Sequence, residues 1–169
     1  MSRMLNSVTH VLFVSREDAC RGLLAEACLR QLGGKKFKVY SCGVPGLIAD
    51  SPHGWTRVAL LTAGIPGDNL QCKGWTEFSR NGAPKMDFVI ALDRETANQH
   101  PSWKGQPETA LWEYAAIDVQ KNGGGNQAAL DTLQTLHSLR RRIELLVSLH
   151  SRVRHRSDLR HDLRDLGYA

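Results

Sequence analysis

The stretch Thr9-His10-Val11-Leu12-Phe13-Val14-Ser15-Arg16-Glu17-Asp18-Ala19-Cys20-Arg21-Gly22-Leu23-Leu24-Ala25-Glu26-Ala27 decides the fold. An apolar run stops at Ser15, a short polar loop follows, and a helical pattern starts at Arg21. The centre of the run is apolar at every position, as in a strand buried on both faces of a parallel sheet. Strand, tight loop and helix in succession aim backbone N–H groups and a helix N-terminus at one point, the layout that holds an anion. A hydroxyl, Ser15, opens the loop and a guanidinium, Arg21, closes it.

The same alternation continues along the chain. The first helix is expected over about 19–32, ended by Gly33-Gly34. Phe37 to Cys42 alternates and reads as a second strand, broken by Gly43-Val44-Pro45-Gly46. A second helix is expected over about 52–63, with Ser51 as N-cap, Pro52 in the first helical position and Gly64 at its end. Met86 to Leu92 reads as a buried strand, Arg94 to Gln99 as a short helix stopped before Pro101, and Thr109 to Trp112 as a fourth strand. Lys121 to Asn126 is a glycine-rich loop. A long helix over about 127–150 carries Leu130, Leu133, Leu136, Leu139, Ile143 and Leu146 on one stripe. Strands alternating with helices argue an α/β architecture with a parallel sheet covered on both faces. Residues 1–150 read as one α/β domain. Residues 151–169 read as a charged C-terminal extension in which Leu159, Leu163 and Leu166 fall at helical spacing. Its few apolar and many charged residues predict that it buries little and is dispensable for folding.

At 169 residues, with 41% hydrophobic and 23% charged residues, the chain is long enough for one domain with a real core. No apolar stretch approaches the roughly 20 residues of a membrane helix, and the N-terminus lacks the apolar segment of a signal peptide. Cys20, Cys28, Cys42 and Cys72 show neither C-x-x-C nor zinc spacing, and the seven histidines show no metal pattern. The expectation is a cytoplasmic protein with reduced thiols, no membrane partner, no metal and no cofactor. The net charge of +5 concentrates late, in Arg140-Arg141-Arg142, Arg152, Arg154, Arg156, Arg160 and Arg164. Asp158, Asp162 and Asp165 dilute it, and no RNA-binding or finger signature accompanies it. His150, His155 and His161 read as solvated. Trp55, Trp75, Trp103 and Trp112 read as core or rim packing, with Trp112 and Tyr114 also placed to line a pocket mouth beyond the strand ends.

The loop Ser15-Arg16-Glu17-Asp18-Ala19-Cys20-Arg21-Gly22 resembles the phosphate loop of the low-molecular-weight protein tyrosine phosphatases and the thioredoxin-coupled arsenate reductases, which usually reads C-x-G-N-x-C-R-S. Further matches follow in order: Ser41-Cys42-Gly43-Val44-Pro45-Gly46 with the S-A-G-T segment, Asp50-Ser51-Pro52-His53 through Gly64-Ile65 with the Pro-led helix, and Asp87 to Glu95 with D-x-V-x-x-M-D-R. The resemblance covers about 8–150. It implies a three-layer α/β/α sandwich with a four-stranded parallel sheet of order 2-1-3-4 and a pocket at the C-terminal end of the first strand.

The resemblance also shows what is missing. The nucleophilic Cys falls on Ser15, and the loop Gly and Asn fall on Glu17 and Asp18. The general acid of an Asp-Pro pair falls on Ala116-Ile117, with Asp118 two residues late. The redox cysteines of the reductases fall on Asp93 and His100. A thiolate works in such a loop because its pKa, about 8.5 when free, drops at a helix N-terminus beside Arg. A serine needs a hydrogen-bonded base instead. The only local carboxylates are Glu17 and Asp18, each of which would repel a dianion by on the order of 1 kcal/mol.

The candidate site is therefore Ser15, Arg16, Glu17, Asp18, Ala19, Cys20 and Arg21 for an anion such as phosphate, sulfate or another oxyanion. Ser15 and Arg21 occupy the family's catalytic positions, and Asp93, Trp112 and Asp118 are candidate supports. Three functions stay open at this point: a catalytically inactive member that binds an anion or a protein partner, an active phosphatase or arsenate reductase using Ser15 or Cys20, and a nucleic-acid or regulatory binder acting through the basic C-terminal face. The loop is expected to hold anions weakly, with the carboxylate of Glu17 or Asp18 folded back onto Arg21.

Overall fold

The computed structural model describes residues 7–117, 125–153 and 155–168. Four strands, β1 (Thr9–Val14), β2 (Phe37–Cys42), β3 (Phe88–Ala91) and β4 (Glu108–Leu111), form one parallel sheet in the order β2-β1-β3-β4. The helices are α1 (Arg21–Gly33), α2 (Gly54–Thr62), α3 (Arg94–Gln99), α4 (Gly125–His150) and α5 (Arg156–Asp165). Helices lie on both faces of the sheet, so the three-layer sandwich and the 2-1-3-4 order read from the sequence are the ones observed.

The central strand explains the layering. Val11 and Phe13 point into one core, with α1, α2, α4 and α5, while Leu12 and Val14 point into a second core with Phe78, Met86, Val89 and Trp103. Alternate residues of a strand face opposite sides, so β1 must be apolar at every position between Val11 and Val14. The second face is covered more thinly. Its helix α3 has six residues, and irregular chain around Trp75–Phe78 and Trp103 supplies the rest.

The helix starts differ in detail from the sequence reading. The N-cap of α2 is His53, not Ser51, and its ring nitrogen accepts the Trp55 N–H at 3.2 Å. His150 is buried, not solvated: its Nε2 meets the Thr9 hydroxyl at 2.9 Å, its ring packs on Phe37, and burial lowers its pKa.

The C-terminal extension requires the largest correction. Leu159, Leu163 and Leu166 are buried in the main core. Trp112, read as core or rim packing with a pocket mouth as the alternative, is in the core: it is fully buried beneath α5 and donates its indole N–H to the Leu163 carbonyl at 2.9 Å. Gly167 approaches so closely that a Cβ there would lie 2.3 Å from the Leu111 carbonyl oxygen. Three leucines at helical spacing suffice because the edge of the sheet and the Trp112 ring offer them a ready surface. The extension is therefore expected to stabilise the domain. Leu163→Ala should lower the unfolding free energy by about 2–5 kcal/mol in denaturant titration. Truncation after His150 should depress the thermal midpoint strongly, and an unchanged midpoint would show that α5 is not part of the cooperative unit.

Candidate functional site

The loop between β1 and α1 is held from outside through its carbonyls. The Arg16 carbonyl accepts the Val44 N–H at 2.9 Å, that of Glu17 the Ala49 N–H at 3.1 Å, and that of Ala19 both the His53 N–H at 2.8 Å and the Thr56 hydroxyl at 2.9 Å. Gly43 permits this approach, because a Cβ at that position would meet the Ser15 and Arg16 carbonyl oxygens at 2.8 Å. With the carbonyls turned to neighbours, the N–H groups of Glu17, Asp18, Ala19, Cys20 and Arg21 are left without acceptors among the described residues. Successive unpaired amides leading into a helix N-terminus make an anion-binding concavity. The residues from Ser15 to Arg21 line one cavity of about 130 Å³, together with His53, Ala116 and Ile117. That volume accommodates an anion the size of a few waters, at about 30 Å³ per water.

Arg21 is buried and doubly engaged. One guanidinium nitrogen donates to the Tyr114 carbonyl at 2.9 Å and the other pairs with Asp93 at 3.2 Å. The same Asp93 oxygen accepts the Arg16 N–H at 3.0 Å, and its second oxygen caps α3 at the Thr96 N–H. The carboxylate on Arg21 is thus that of Asp93, and not that of Glu17 or Asp18 as the sequence reading expected. Glu17 is exposed. Asp18 turns the other way, for a reason that lies in its backbone. Its φ of +50° is left-handed, a conformation Asn and Asp tolerate better than most residues.

That turn buries Asp18 completely. One carboxylate oxygen accepts the Lys73 N–H at 2.9 Å and lies 3.8 Å from the Lys73 ammonium. The other has no hydrogen-bond donor among the described residues, although the Ser41 hydroxyl faces it at longer range. Burial pushes the Asp18 pKa up to about 7, against the lowering effects of Lys73 and Ser41 and with a further raising effect from Glu26. The repulsion expected from two loop carboxylates is accordingly softened. One is in solvent, and the other is partly protonated near neutrality and faces Lys73.

The chemistry-bearing positions fare poorly. Ser15 lines the cavity but its hydroxyl has no hydrogen-bonded base among the described residues. A Cβ on Gly22 would lie 2.9 Å from the Ser15 Oγ and 3.0 Å from the free Asp18 oxygen, so glycine there lets the start of α1 pack against both side chains. Burial raises the Cys20 thiol pKa, which the nearby Thr56 hydroxyl and Arg21 offset only in part, so Cys20 stays a neutral thiol at pH 7. Ala116 and Ile117 form an apolar wall of this cavity. Trp112 lies in the core, away from this cavity, and Asp118 lies outside the described residues. Sequence reasoning missed His53, whose Nδ1 accepts the Trp55 N–H and so leaves the proton on Nε2 when the ring is neutral. The Pro52-His53 pair before a helix was its only signal.

A family model described as low molecular weight phosphotyrosine protein phosphatase matches residues 10–119. The chain belongs to this family. The low molecular weight protein-tyrosine-phosphatase YfkJ of Bacillus subtilis is 32% identical over 106 residues, which is 59% of this chain and 66% of that protein. The chain thus spans just under two thirds of its curated relative. The crystal structure of YfkJ superposes with a TM-score of 0.58 at 23% identity, covering 87% of this chain and 98% of that one. The thioredoxin-dependent arsenate reductase of Corynebacterium glutamicum gives 0.63 at 20% identity, covering 86% of this chain and 63% of that one. A Cys-to-Ser variant of the YwlE arginine phosphatase, with a phosphorylated active-site serine, gives 0.60 at 19% identity over 85% of this chain and 96% of that one. Among the described residues there is no cluster fit for a metal ion and no helix long and apolar enough to cross a membrane.

The elevated Asp18 pKa makes stability depend on pH. Its carboxyl stays protonated in the folded chain up to about pH 7 and ionises in the unfolded chain near 3.8. Folding then takes up a proton, so this group's contribution is fully present below 3.8 and is lost as pH rises through 7. Asp18→Asn should remove that slope and gain on the order of 3 kcal/mol relative to the native chain between pH 4 and pH 8. Denaturant melts across that range check it, and parallel pH profiles for the two proteins would contradict it.

Proposed function

We propose that this protein is a family member that binds oxyanions and phosphorylated side chains without hydrolysing them. The observation that carries the reading is the loop itself. The carbonyls of Arg16, Glu17, Ala19 and Cys20 are turned to partners, and the amides from Glu17 to Arg21 are left unpaired among the described residues around a small cavity. Such a cradle is costly to leave unfilled in a buried site and is satisfied by a tetrahedral anion. Among the described residues, both steps of phosphate ester hydrolysis lack their agents: Ser15 has no hydrogen-bonded base, and Ala116-Ile117 offers no acid.

The phosphorylated serine in the YwlE variant supports the same reading. In that protein a serine in the active site is found carrying a phosphoryl group. That adduct is a tetrahedral phosphoryl group accommodated in an active site of the same fold, which supports the oxyanion-binding part of the reading. An active enzyme using Cys20 is opposed by its raised thiol pKa. Binding of nucleic acid through the C-terminal arginines is opposed by their internal engagements. Arg142 lies over the Tyr114 ring at 4.8 Å, Arg156 reaches the Gly105 carbonyl, and Arg160 faces Glu108.

Two measurements test the proposal. Turnover of p-nitrophenyl phosphate should not exceed the buffer background, and Ser15→Cys should restore little, because Ala116 and Ile117, the cavity wall opposite the loop, offer no proton donor. Sulfate, which does not titrate in this range, should bind saturably in calorimetry, and Arg21→Ala should weaken it by about tenfold or more. Turnover that disappears in Ser15→Ala would overturn the inactive reading. Failure to bind any oxyanion up to tens of millimolar would overturn the binding reading.

A further inference from the structure

Asp18 belongs to two environments at once. Its amide is one of the unpaired N–H groups of the cradle, while its carboxyl is fully buried and takes no part in holding an anion. One Cα joins the two, and its φ of +50° turns the side chain toward Lys73 and Ser41. The carboxyl stays close to the cradle all the same. The Ser15 Oγ and the free Asp18 oxygen lie 2.9 Å and 3.0 Å from the one point that a Gly22 Cβ would occupy. Ser15 lines the anion cavity. A titratable group thus sits immediately behind the site, shielded from water.

The groups facing this carboxyl supply little positive charge. The segment before Trp75 gives Lys73, whose N–H donates to one oxygen at 2.9 Å. Its ammonium stands 3.8 Å away and also donates to the Gln71 carbonyl. The same segment brings the Cys72 thiol, and β2 brings the Ser41 hydroxyl and the Cys42 thiol. Burial, and then Asp18 itself, raises the pKa of both thiols, so they stay neutral. From α1 comes Glu26, a second buried carboxyl, which pairs with Arg30 at 3.4 Å and also draws on Lys73. Within the loop, Arg21 is paired with Asp93, and Arg16 and Glu17 are exposed. The second Asp18 oxygen and the Ser41 hydroxyl are buried without partners among the described residues. A carboxyl with one distant, shared cation and one unsatisfied oxygen retains a proton readily, and burial pushes its pKa up to about 7.

We propose that the cradle binds its oxyanion together with a proton held on the Asp18 carboxyl. This rests on the oxyanion reading of the loop and adds to it the regulation of that site. With Asp18 neutral, the amides and Arg21 face the anion unopposed. With Asp18 ionised, a negative charge stands behind the Asp18 amide, in buried surroundings that screen it poorly. The linkage is reciprocal: an anion in the cradle favours the protonated carboxyl by the same factor that the ionised carboxyl weakens the anion. Below pH 7 the carboxyl already carries its proton, and above it binding must draw one from solvent. Affinity is therefore greatest on the acid side and falls as pH rises through about 7.

The test is calorimetric titration of the full chain with sulfate, whose charge is constant over the range, at pH 5.5, 7 and 8.5. The native protein is compared with Asp18→Asn, which tolerates the left-handed backbone and removes the titrating group. Circular dichroism at each pH checks that both are folded. The native protein should lose about tenfold or more in affinity from pH 5.5 to 8.5, and Asp18→Asn less than about threefold. At pH 7.5, titrations of the native protein in two buffers of different ionisation enthalpy should reveal net proton uptake on binding. A flat native profile, absence of proton uptake, or an equally steep profile in Asp18→Asn, which would move the effect to His53 on the cavity wall, would each overturn the proposal while leaving the oxyanion reading intact. Sulfate binding to neither protein at any pH would overturn both.

Discussion

The carboxylate of Asp93 is the fixed point from which the site is built. Its two oxygens do three things at once: they cap α3, accept the first amide of the loop and neutralise Arg21. Arg21 is nearly buried, so its charge requires a partner in the protein, and an unpaired charge there would be severely destabilising. The remaining guanidinium bond, to the Tyr114 carbonyl, ties the same arginine to the segment after β4. Tyr114 in turn meets α4 through Ser138 and Arg142. The ends of β1, β3 and β4 and the start of α1 are therefore coupled through one ion pair.

This coupling explains how the loop keeps its shape. Its carbonyls are pinned by Val44, Ala49, His53 and Thr56, its first amide by Asp93, and its middle by Asp18 turned down onto Lys73. Asp18 adopts a left-handed backbone there and buries its carboxyl. The result is a loop whose shape is set by the groups around it. Fold alone does not license activity, and the proposed function rests on this site and not on the family.

Much of this was legible in the chain. The all-apolar run before Ser15 fixed β1 as a central strand, and the alternation of periods fixed a parallel sheet with helices on both faces. Four features escaped for physical reasons. The side-chain direction of Asp18 depends on a positive φ that no local pattern announces. The role of Asp93 toward Arg21 is a contact between residues distant in sequence, so no spacing rule reveals it. The docking of α5 was hidden because Leu159, Leu163 and Leu166 are outnumbered by charges, whereas burial depends on where three side chains land and not on the average composition. His53 was read as part of a helix start and not as a cavity residue, because its function there rests on the loop that packs against it.

The most direct measurement of this account is a double-mutant cycle between Arg21→Gln and Asp93→Asn, read as unfolding free energies. If the ion pair is the constraint that organises the loop, the two substitutions will be coupled by about 1–3 kcal/mol, within the range seen for contacting groups. Additivity within about 0.5 kcal/mol would contradict the account and leave the loop held by its carbonyl partners alone.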